Sequence, residues 1–316
     1  MADQSVELNT PEHPISQAVV EPPVIHFFAR IANQRCEREI LDNSAVRDFR
    51  KCPRFYFYRH VMGRTPKDEP PYFRFGSAYH RFREILEVTG ETTKAIAGAV
   101  KLFRARGGDP VVGSQYEFLT ELRLIKSCSV AFARWEKERR IGAIQVIATE
   151  QIFNVELRDG SRRGGRADQL TRWTGKLWGR DFKTTTKMGK FYERSIYPND
   201  QFGGYTFAES KLAGEPVQGQ IVEVLYNTKT QGPEISQFLS TWTPSQLEDW
   251  ENEQLYWHHQ IDISRANDFW PKNDNACFNC VFHSVCKSST ENMAINRLEN
   301  DYVYKPWRFE ESDEGD

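Results

Sequence analysis

The sequence predicts an α/β protein built on a mixed β-sheet with helices against it. Three observations carry that prediction. Runs of branched and aromatic residues fall in two groups, "AIQVIATEQIFNVELRD" through "KLWGRDFKTTT", and later "GQIVEVLYN" with "EISQFLSTW". Helical patterns precede, separate and follow these groups, in the order helix, helix, three strands, helix, two strands, helix. Eight tryptophans and 21 phenylalanines in 316 residues supply one large core, or one core with a helical annex.

Each element follows from local chemistry. Residues 1–24 carry four prolines and many polar side chains, and are expected to be a flexible leading segment. A single domain is expected over 25–298, then an acidic tail over 299–316. "LDNSAVRDFRKCPRFYFYRHVMG" opens a helix at Asn43 or Ser44 and stops at Gly63. Val46, Phe49, Cys52 and Phe57 recur along it at near-helical spacing. "GRTPKDEPPY" reads as a loop. "FGSAYHRFREILEVTG" reads as a helix with Phe82, Ile85 and Leu86 in its stripe, ending at Gly90. About 90–145 is expected to be a helical insertion, dominated by a helix from near Ser114 to Arg140. Its inward positions are Phe118, Leu122, Ile125, Phe132 and Trp135.

The period then changes to that of strands. The first strand is expected to bend near Glu150, and "GGRADQLTRW" and "KLWGRDFKTTT" are joined by a turn at Thr174-Gly175. A helix spans about Asn199 to Leu212, and two strands follow it. "TPSQLEDWENEQLYWHHQIDISRAND" is a helix capped by Thr243 or Ser245. A cysteine-bearing segment occupies 270–290. There is no internal repeat, Gly-x-Gly-x-x-Gly motif or Walker loop, and Gly203-Gly204 lacks the context of either, which argues against a nucleotide-hydrolysing motor.

The net charge of −2 hides an uneven distribution. Nine basic residues lie between Ser161 and Lys190, opposed only by Asp168 and Asp181. Such a zone suits phosphates, or is simply a solvated face. No stretch approaches the roughly 18 apolar residues of a spanning helix, so no membrane is expected. The polar, acidic N-terminus resembles no secretory signal, and an intracellular, cytoplasmic site is the expectation.

"RDFKTTTK" holds the central chemistry. In a strand, Asp181 and Lys183 share one face and Phe182 takes the other. Asp168 lies thirteen residues earlier on the preceding strand, suited to a hairpin neighbour. Two carboxylates from adjacent strands can bind a hard cation such as Mg²⁺ or Mn²⁺. The cation polarises a phosphodiester and eases ionisation of water, while a lysine contacts the phosphoryl oxygens. The bland alternative is a pair of surface carboxylates in salt bridges. His80 offers a nitrogen ligand, and Glu150 could complete the shell or cap an edge.

In order along the chain stand "CPRFYF" with Cys52, "FGSAYH" with His80, "GRADQL" with Asp168, "DFKTTT" with Asp181 and Lys183, "QFGGY" with Gln201 and Tyr205, and "CFNCVFHSVC". This ordered set resembles the RecB-like branch of the PD-(D/E)XK nuclease superfamily, in particular its CRISPR-associated iron–sulfur exonucleases and phage-encoded counterparts. The resemblance implies a restriction-endonuclease-like core and a metal-dependent deoxyribonuclease. His80, Asp168 and Asp181 would surround the metal, with Glu150 a less secure match, and Lys183 would be catalytic. Gln201 and Tyr205, which share a helix face, would support the site or place DNA.

Cys277, Cys280 and Cys286 put three soft ligands within reach of one centre, one short of a tetrahedral set. Spacing cannot choose among Cys52, Cys36 and Cys128 for the fourth. The resemblance implies Cys52 and a [4Fe-4S] cluster of structural role, with Zn²⁺, disulfides or free thiols as alternatives. Cys36 and Cys128 read as small hydrophobes, and His283 as a solvent-facing neighbour.

DNA is the expected partner, single-stranded or with free ends, since no duplex-reading helix is visible. Arg54, Arg74, Arg166, Lys187 and Lys190 are the candidate phosphate contacts as a group. Phe55, Tyr56, Phe57 and Tyr58 after Arg54, and Tyr72, Phe73 and Phe75 before the His80 helix, offer stacking surfaces, although most of them must be core. Similar proteins act in recombination, repair or CRISPR adaptation, which implies protein partners from those processes. The competing function is a catalytically silent nucleic-acid-binding or assembly subunit on the same fold.

Overall fold

The computed structural model describes residues 35–36 and 38–307. The expected leading segment 1–24, and the part of the expected 299–316 tail beyond 307, lie outside the described residues; the start of that tail instead completes a helix (Glu291–Asp301) and forms a strand (Tyr302–Tyr304).

A short β1 (Ile40–Leu41) leads into α1 (Asn43–Lys51) and α2 (Pro53–Tyr56), which runs on as a π-helical turn over Phe57–Val61. The cap of α1 is Asp42, one residue before the expected position, and its Oδ1 accepts from the Ala45 amide at 2.7 Å. The expected single helix is broken at Cys52, because Pro53 pushes the preceding residue out of helical geometry. The expected loop after Gly63 contains β2 (Arg64–Pro66). Next, α3 (Pro71–Thr89) starts earlier than the sequence reading, with Pro71 in its first turn, and ends on left-handed Gly90. It is followed by α4 (Thr92–Ala105) and α5 (Glu121–Ile141), the latter capped by Thr120 rather than reaching back to Ser114. Of the expected inward positions, Trp135 is buried and Phe118 and Phe132 pack on the core, whereas Leu122 is exposed; Leu124, Cys128 and Ala131 are buried beside them.

Three antiparallel strands form the centre: β3 (Ile144–Glu156), β4 (Arg162–Trp173) and β5 (Lys176–Thr185). Both turn residues between the last two, Thr174 and Gly175, have positive φ, as a tight two-residue hairpin requires. A short α6 (Lys190–Arg194) and then α7 (Asp200–Ala213) carry the chain to β6 (Val217–Tyr226), parallel to β5, and β7 (Glu234–Thr241) closes the edge antiparallel. The last elements are α8 (Pro244–Ala266), a 3₁₀ turn at Asp274–Ala276, α9 (His283–Cys286), α10 (Glu291–Asp301) and β8 (Tyr302–Tyr304), which pairs with β2. Thr243 caps α8 in a reciprocal bond set with Gln246.

The mixed sheet is covered on both faces. On one, α3, α4 and α5 bury Phe75, Phe82, Phe103 and Leu124 with Phe182 and Leu225 of the sheet, so 90–145 is part of this covering layer. On the other, α7 packs Tyr205 and Ala208 on Phe153 and Ala167, and Phe202 on Val222 and Val224. A Cβ on Gly203 would strike Trp250 and Trp242, so the Gly203-Gly204 pair lets α7 approach α8 closely. A separate core joins α1 and α2 to the end of the chain through Phe49, Tyr56, Trp270 and Phe282.

One edge of β4 is interrupted. Residues 169–173 pair with β5, and 162–163 pair with β1, while 164–168 have no partner on that side among the described strands. The sheet forks there.

Candidate active site

The fork puts two carboxylates at the parting of β4 and β5. The last pair of their ladder is Gln169 with Arg180, and Asp168 and Asp181 are the next residues outward. With no strand opposite, Asp168 Oδ2 accepts the Phe182 amide at 2.7 Å. Strand alternation aims Asp181 and Lys183 to the α7 face and Phe182 into the opposite core, as expected. The Lys183 ammonium donates to Asp181 Oδ1 at 2.7 Å. Asp181 Oδ2 is enclosed and accepts no hydrogen bond.

The other predicted residues gather around this pair. His80 of α3 is half-buried with Nδ1 3.5 Å from Asp168 Oδ2. Glu150 falls between the β3–β4 pairs Thr149–Gln169 and Gln151–Ala167, which sets it opposite Asp168. Its φ of 48° is left-handed, which a residue with a side chain rarely adopts, and this is the bend the sequence suggested. Arg166 approaches the Glu150 carboxylate at 3.7 Å. Across the fork, Gln201 Nε2 donates to the Tyr205 hydroxyl at 2.8 Å, one turn apart on α7.

The electrostatics are those of acids short of counter-charge. Burial, with the Asp168 charge beside it, pushes the Asp181 carboxyl up to about 6 against the pull of Lys183 and His80. Burial, followed by Asp168 and Glu84, pushes Glu150 up to about 8. Burial and the Asp181 and Asp168 charges hold the Tyr205 phenol well above its usual value. An enclosed carboxylate oxygen with no donor, among acids that repel one another, is a donor set a hard divalent cation would relieve. Among the described residues, no three His, Cys, Asp or Glu side chains stand already converged as a metal-holding group.

A cleft of about 1710 Å³ opens over the fork. His80, Glu150, Asp168, Lys183, Gln201 and Tyr205 all line it. Of the predicted phosphate contacts, Arg166 and Lys187 line it, and Arg54, Arg74 and Lys190 do not. Arg54 Nε is bound to the Trp270 carbonyl, and Arg74 Nη1 to that of Gly108.

The model of the PD-(D/E)XK nuclease superfamily matches residues 43–287. The chain belongs to that superfamily. Membership implies a nuclease that acts on DNA by hydrolysis. No curated protein matches the chain. Among solved structures, a candidate exonuclease from Eubacterium rectale is 15% identical, with a TM-score of 0.50, over 85% of this chain and 96% of its own. A structure named SSO0001 is 13% identical with a TM-score of 0.35, over 83% of this chain and 92% of that one. The first likeness agrees with the restriction-endonuclease-like fold.

This PD-(D/E)XK protein also has site residues that its sequence did not announce. Glu209 lies four residues beyond Tyr205 on α7, buried behind the acids. Its Oε2 accepts from Gln220 Nε2 at 2.7 Å and its Oε1 has no partner. Gly179 leaves the space this carboxyl occupies. Burial pushes Glu209 up to about 8, with Asp181 and Asp168 adding to the rise. Glu84, one turn past His80, and Arg47, Arg50 and Lys51 of α1 also line the cleft. The four-residue step from a motif residue is the signal that would have found Glu84 and Glu209.

Cys52 is buried, and Cys277, Cys280 and Cys286 are half-buried, all as free thiols. They stand in one neighbourhood. Burial raises the Cys280 thiol, and Cys52 and Cys277 add to the rise; Cys286 is raised by burial and by Cys280, against the pull of Tyr58 and Arg54. Cys52 Sγ accepts from the Asn273 amide at 3.4 Å. Cys128 is buried in the α3–α5 layer, and Cys36 lies 3.6 Å from the Tyr304 hydroxyl. His283 is exposed, in keeping with the reading of a solvent-facing neighbour. Among the described residues, no helix is long and apolar enough to cross a membrane.

Proposed function

We propose that this protein is a Mg²⁺- or Mn²⁺-dependent DNA exonuclease acting on single strands or free ends, of the RecB-like iron–sulfur branch. The observation that carries the reading is the fork itself. Asp168, on an unpaired strand edge, and Lys183 line a cleft of about 1710 Å³, and the buried Asp181, with an enclosed oxygen that has no donor, lies directly behind Lys183.

In this reading Asp168 and Asp181 hold the cation, with His80 and Glu150 at its periphery. When bound, the cation supplies Lewis-acid stabilisation of the phosphoryl charge and eases ionisation of the attacking water. Lys183 turns from Asp181 toward a phosphoryl oxygen and stabilises the charge that grows there as water's oxygen bonds to phosphorus and the sugar oxygen departs. The Gln201–Tyr205 pair orients the strand beside it. The buried, neutral Glu209 keeps further negative charge away from the two acids. Arg47, Arg50 and Lys51, with Arg166 and Lys187, bind phosphates along the cleft without reading bases.

Cys52, Cys277, Cys280 and Cys286 would hold a [4Fe-4S] cluster, with Zn²⁺ the alternative. The mutual electrostatic influence of Cys280 with Cys52, Cys277 and Cys286 supports this, and so does the Asn273 amide on Cys52 Sγ; among the described residues the thiols would still have to draw together to hold the group. Such a cluster would tie the α1–α2 break to the end of the chain, so its loss would lower stability before activity. Visible absorbance and iron content of anaerobically purified protein, compared with Cys280→Ser, distinguish cluster from zinc. We further propose a single nuclease unit over 25–298, an intracellular site, and work in recombination, repair or CRISPR adaptation with partner proteins, in a cell or in the host of a phage.

The deciding experiment uses end-labelled single- and double-stranded DNA and a closed circle with the purified protein. Loss of label with Mn²⁺, its absence with EDTA and its absence in Lys183→Ala are expected. Cleavage that survives Lys183→Ala would remove the catalytic assignment. Binding without cleavage under all metals would favour the silent-subunit reading.

A further inference from the structure

The cleft extends well beyond the carboxylates, and one end of it is aromatic. Helix α3 lies along it with one face: its lining residues come in pairs four apart, Tyr72 with Phe73, Gly76 with Ser77, and His80 with Arg81. Tyr72 and Phe73 begin the helix and remain 41% and 52% exposed, although most of the aromatic residues preceding α3 are deeply buried. Their rings stand 4.8 Å apart, inclined by 32°, and Tyr116 packs on Tyr72 at 5.1 Å. Three touching rings in the lining of one cleft form a surface, unlike the scattered exposed apolar residues that any protein shows.

The surface is rigid and placed at a useful distance. Pro70 and Pro71 stiffen the helix start. Arg106, at the end of α4, donates to Ser77 at 2.8 Å and to Glu69 at 3.1 Å, which ties that start to its neighbour. From Phe73 to His80 the helix rises about 10.5 Å, or roughly three nucleotides at a 3.4 Å strand repeat. The intervening residues on that face, Gly76 and Ser77, are small, and Thr184 lies close against Gly76. Lys101 of α4 and Arg47, Arg50 and Lys51 of α1 supply cations to the lining of the same cleft.

We propose that Tyr72 and Phe73 form a base-stacking platform that receives an unpaired nucleobase about three nucleotides from the bond being cut, and so selects single-stranded DNA. This rests on the nuclease reading above. Paired bases hide their faces inside the duplex, whereas an unpaired base offers a π-face to an aromatic ring and gains by stacking. Phosphates alone would be held by the basic walls whatever the bases.

The test separates the platform from the nuclease. A fluorescent oligothymidylate and an abasic strand of the same length are titrated with the full-length protein in EDTA, and hydrolysis is assayed separately with Mn²⁺. The wild type is expected to bind the base-bearing strand about tenfold more tightly than the abasic one. Tyr72→Ala/Phe73→Ala should lose that preference and keep the abasic affinity. Phe73→Trp should retain it, with indole fluorescence quenched by oligothymidylate and unchanged by the abasic strand. If the double variant folds, by circular dichroism, and keeps the wild-type preference, the platform is overturned while hydrolysis still supports the nuclease. Absence of quenching in a Phe73→Trp protein that binds the strand overturns it too. Absence of both binding and hydrolysis in the wild type would overturn both readings.

Discussion

Strand β5 carries two buried charge clusters, one on each face, and they have opposite characters. Arg180 and Phe182 face α3 and α5, where Glu223 of β6 meets Arg180, Arg83 and Arg134, and Arg180 also reaches Glu138. Burial opposes ionisation of Glu223, yet the three guanidinium groups hold its carboxyl below the usual range. Asp181, the next residue along, faces α7 with one lysine, a second acid nearby and an oxygen that has no donor. Its carboxyl is raised to about 6. The same strand thus holds a cluster whose charges are answered inside the protein and one whose charges wait for something from outside. The first fastens the helical layer to the sheet; the second is left poorly compensated, as sites that must bind and react are.

Substitution should expose that difference in sign. Asp181→Asn is expected to reduce Mn²⁺-dependent DNA hydrolysis by about 10³-fold or more. It should also stabilise the fold at neutral pH by about 1–3 kcal/mol in urea unfolding, since it removes a carboxylate that folding has made harder to ionise. The wild-type penalty grows as pH rises from the ordinary aspartate range through about 6, so the two proteins should converge in acid. A less stable Asp181→Asn would erase the contrast.

On the other face, Glu223→Gln is expected to lose about 3–5 kcal/mol, because it strands Arg83 and Arg180 without their partner. Its contribution is present above the ordinary glutamate range and lost as pH falls through the depressed value. The two stability curves should therefore meet in acid, and curves that stay parallel would show that the cluster acts by packing alone.

Cation binding gives a smaller signal of the same kind. Saturating Mn²⁺, near one hundred times its dissociation constant, should stabilise the wild type by about 2.7 kcal/mol. The stabilisation should vanish in Asp168→Asn and persist in Glu223→Gln, and it should weaken below about pH 6 as Asp181 takes up a proton. A thermal shift retained in Asp168→Asn would move the cation elsewhere.

The smallest effect concerns Glu209, which stands behind the acids. Its raised value means that wild-type stability declines as pH climbs from the ordinary glutamate range to about 8. Glu209→Gln should flatten that decline and leave the protein about 2 kcal/mol more stable in mild alkali, as read by chemical denaturation. An unchanged slope would show that Glu209 ionises freely.

Much of this molecule was legible from short-range chemistry. Strand alternation put Asp181 and Lys183 on one face, the turn residues Thr174 and Gly175 paired β4 with β5, and Thr243 capped its helix, because these are properties of neighbours in the chain. Proline misled at both ends of its influence: Pro53 split a predicted helix, and Pro71 started one that had been placed later. Periodicity placed Phe132 and Trp135 of α5 inward correctly, put Leu122 inward where it is exposed, and missed Leu124, Cys128 and Ala131, which pack in the layer with α3 and α4.

What the tertiary structure decided is where charge is left uncompensated. The sequence determined that an acid, an acid and a lysine occupy adjacent strands, in an order shared with a nuclease superfamily. Only the fold interrupts the edge of β4, denies Asp181 Oδ2 a donor, turns Arg54 and Arg74 onto backbone carbonyls and brings Glu209 behind the site. Local patterns arise from backbone geometry, which acts over a few residues. Burial and electrostatic compensation are sums over every atom within several ångströms, and most of those atoms are far away in sequence.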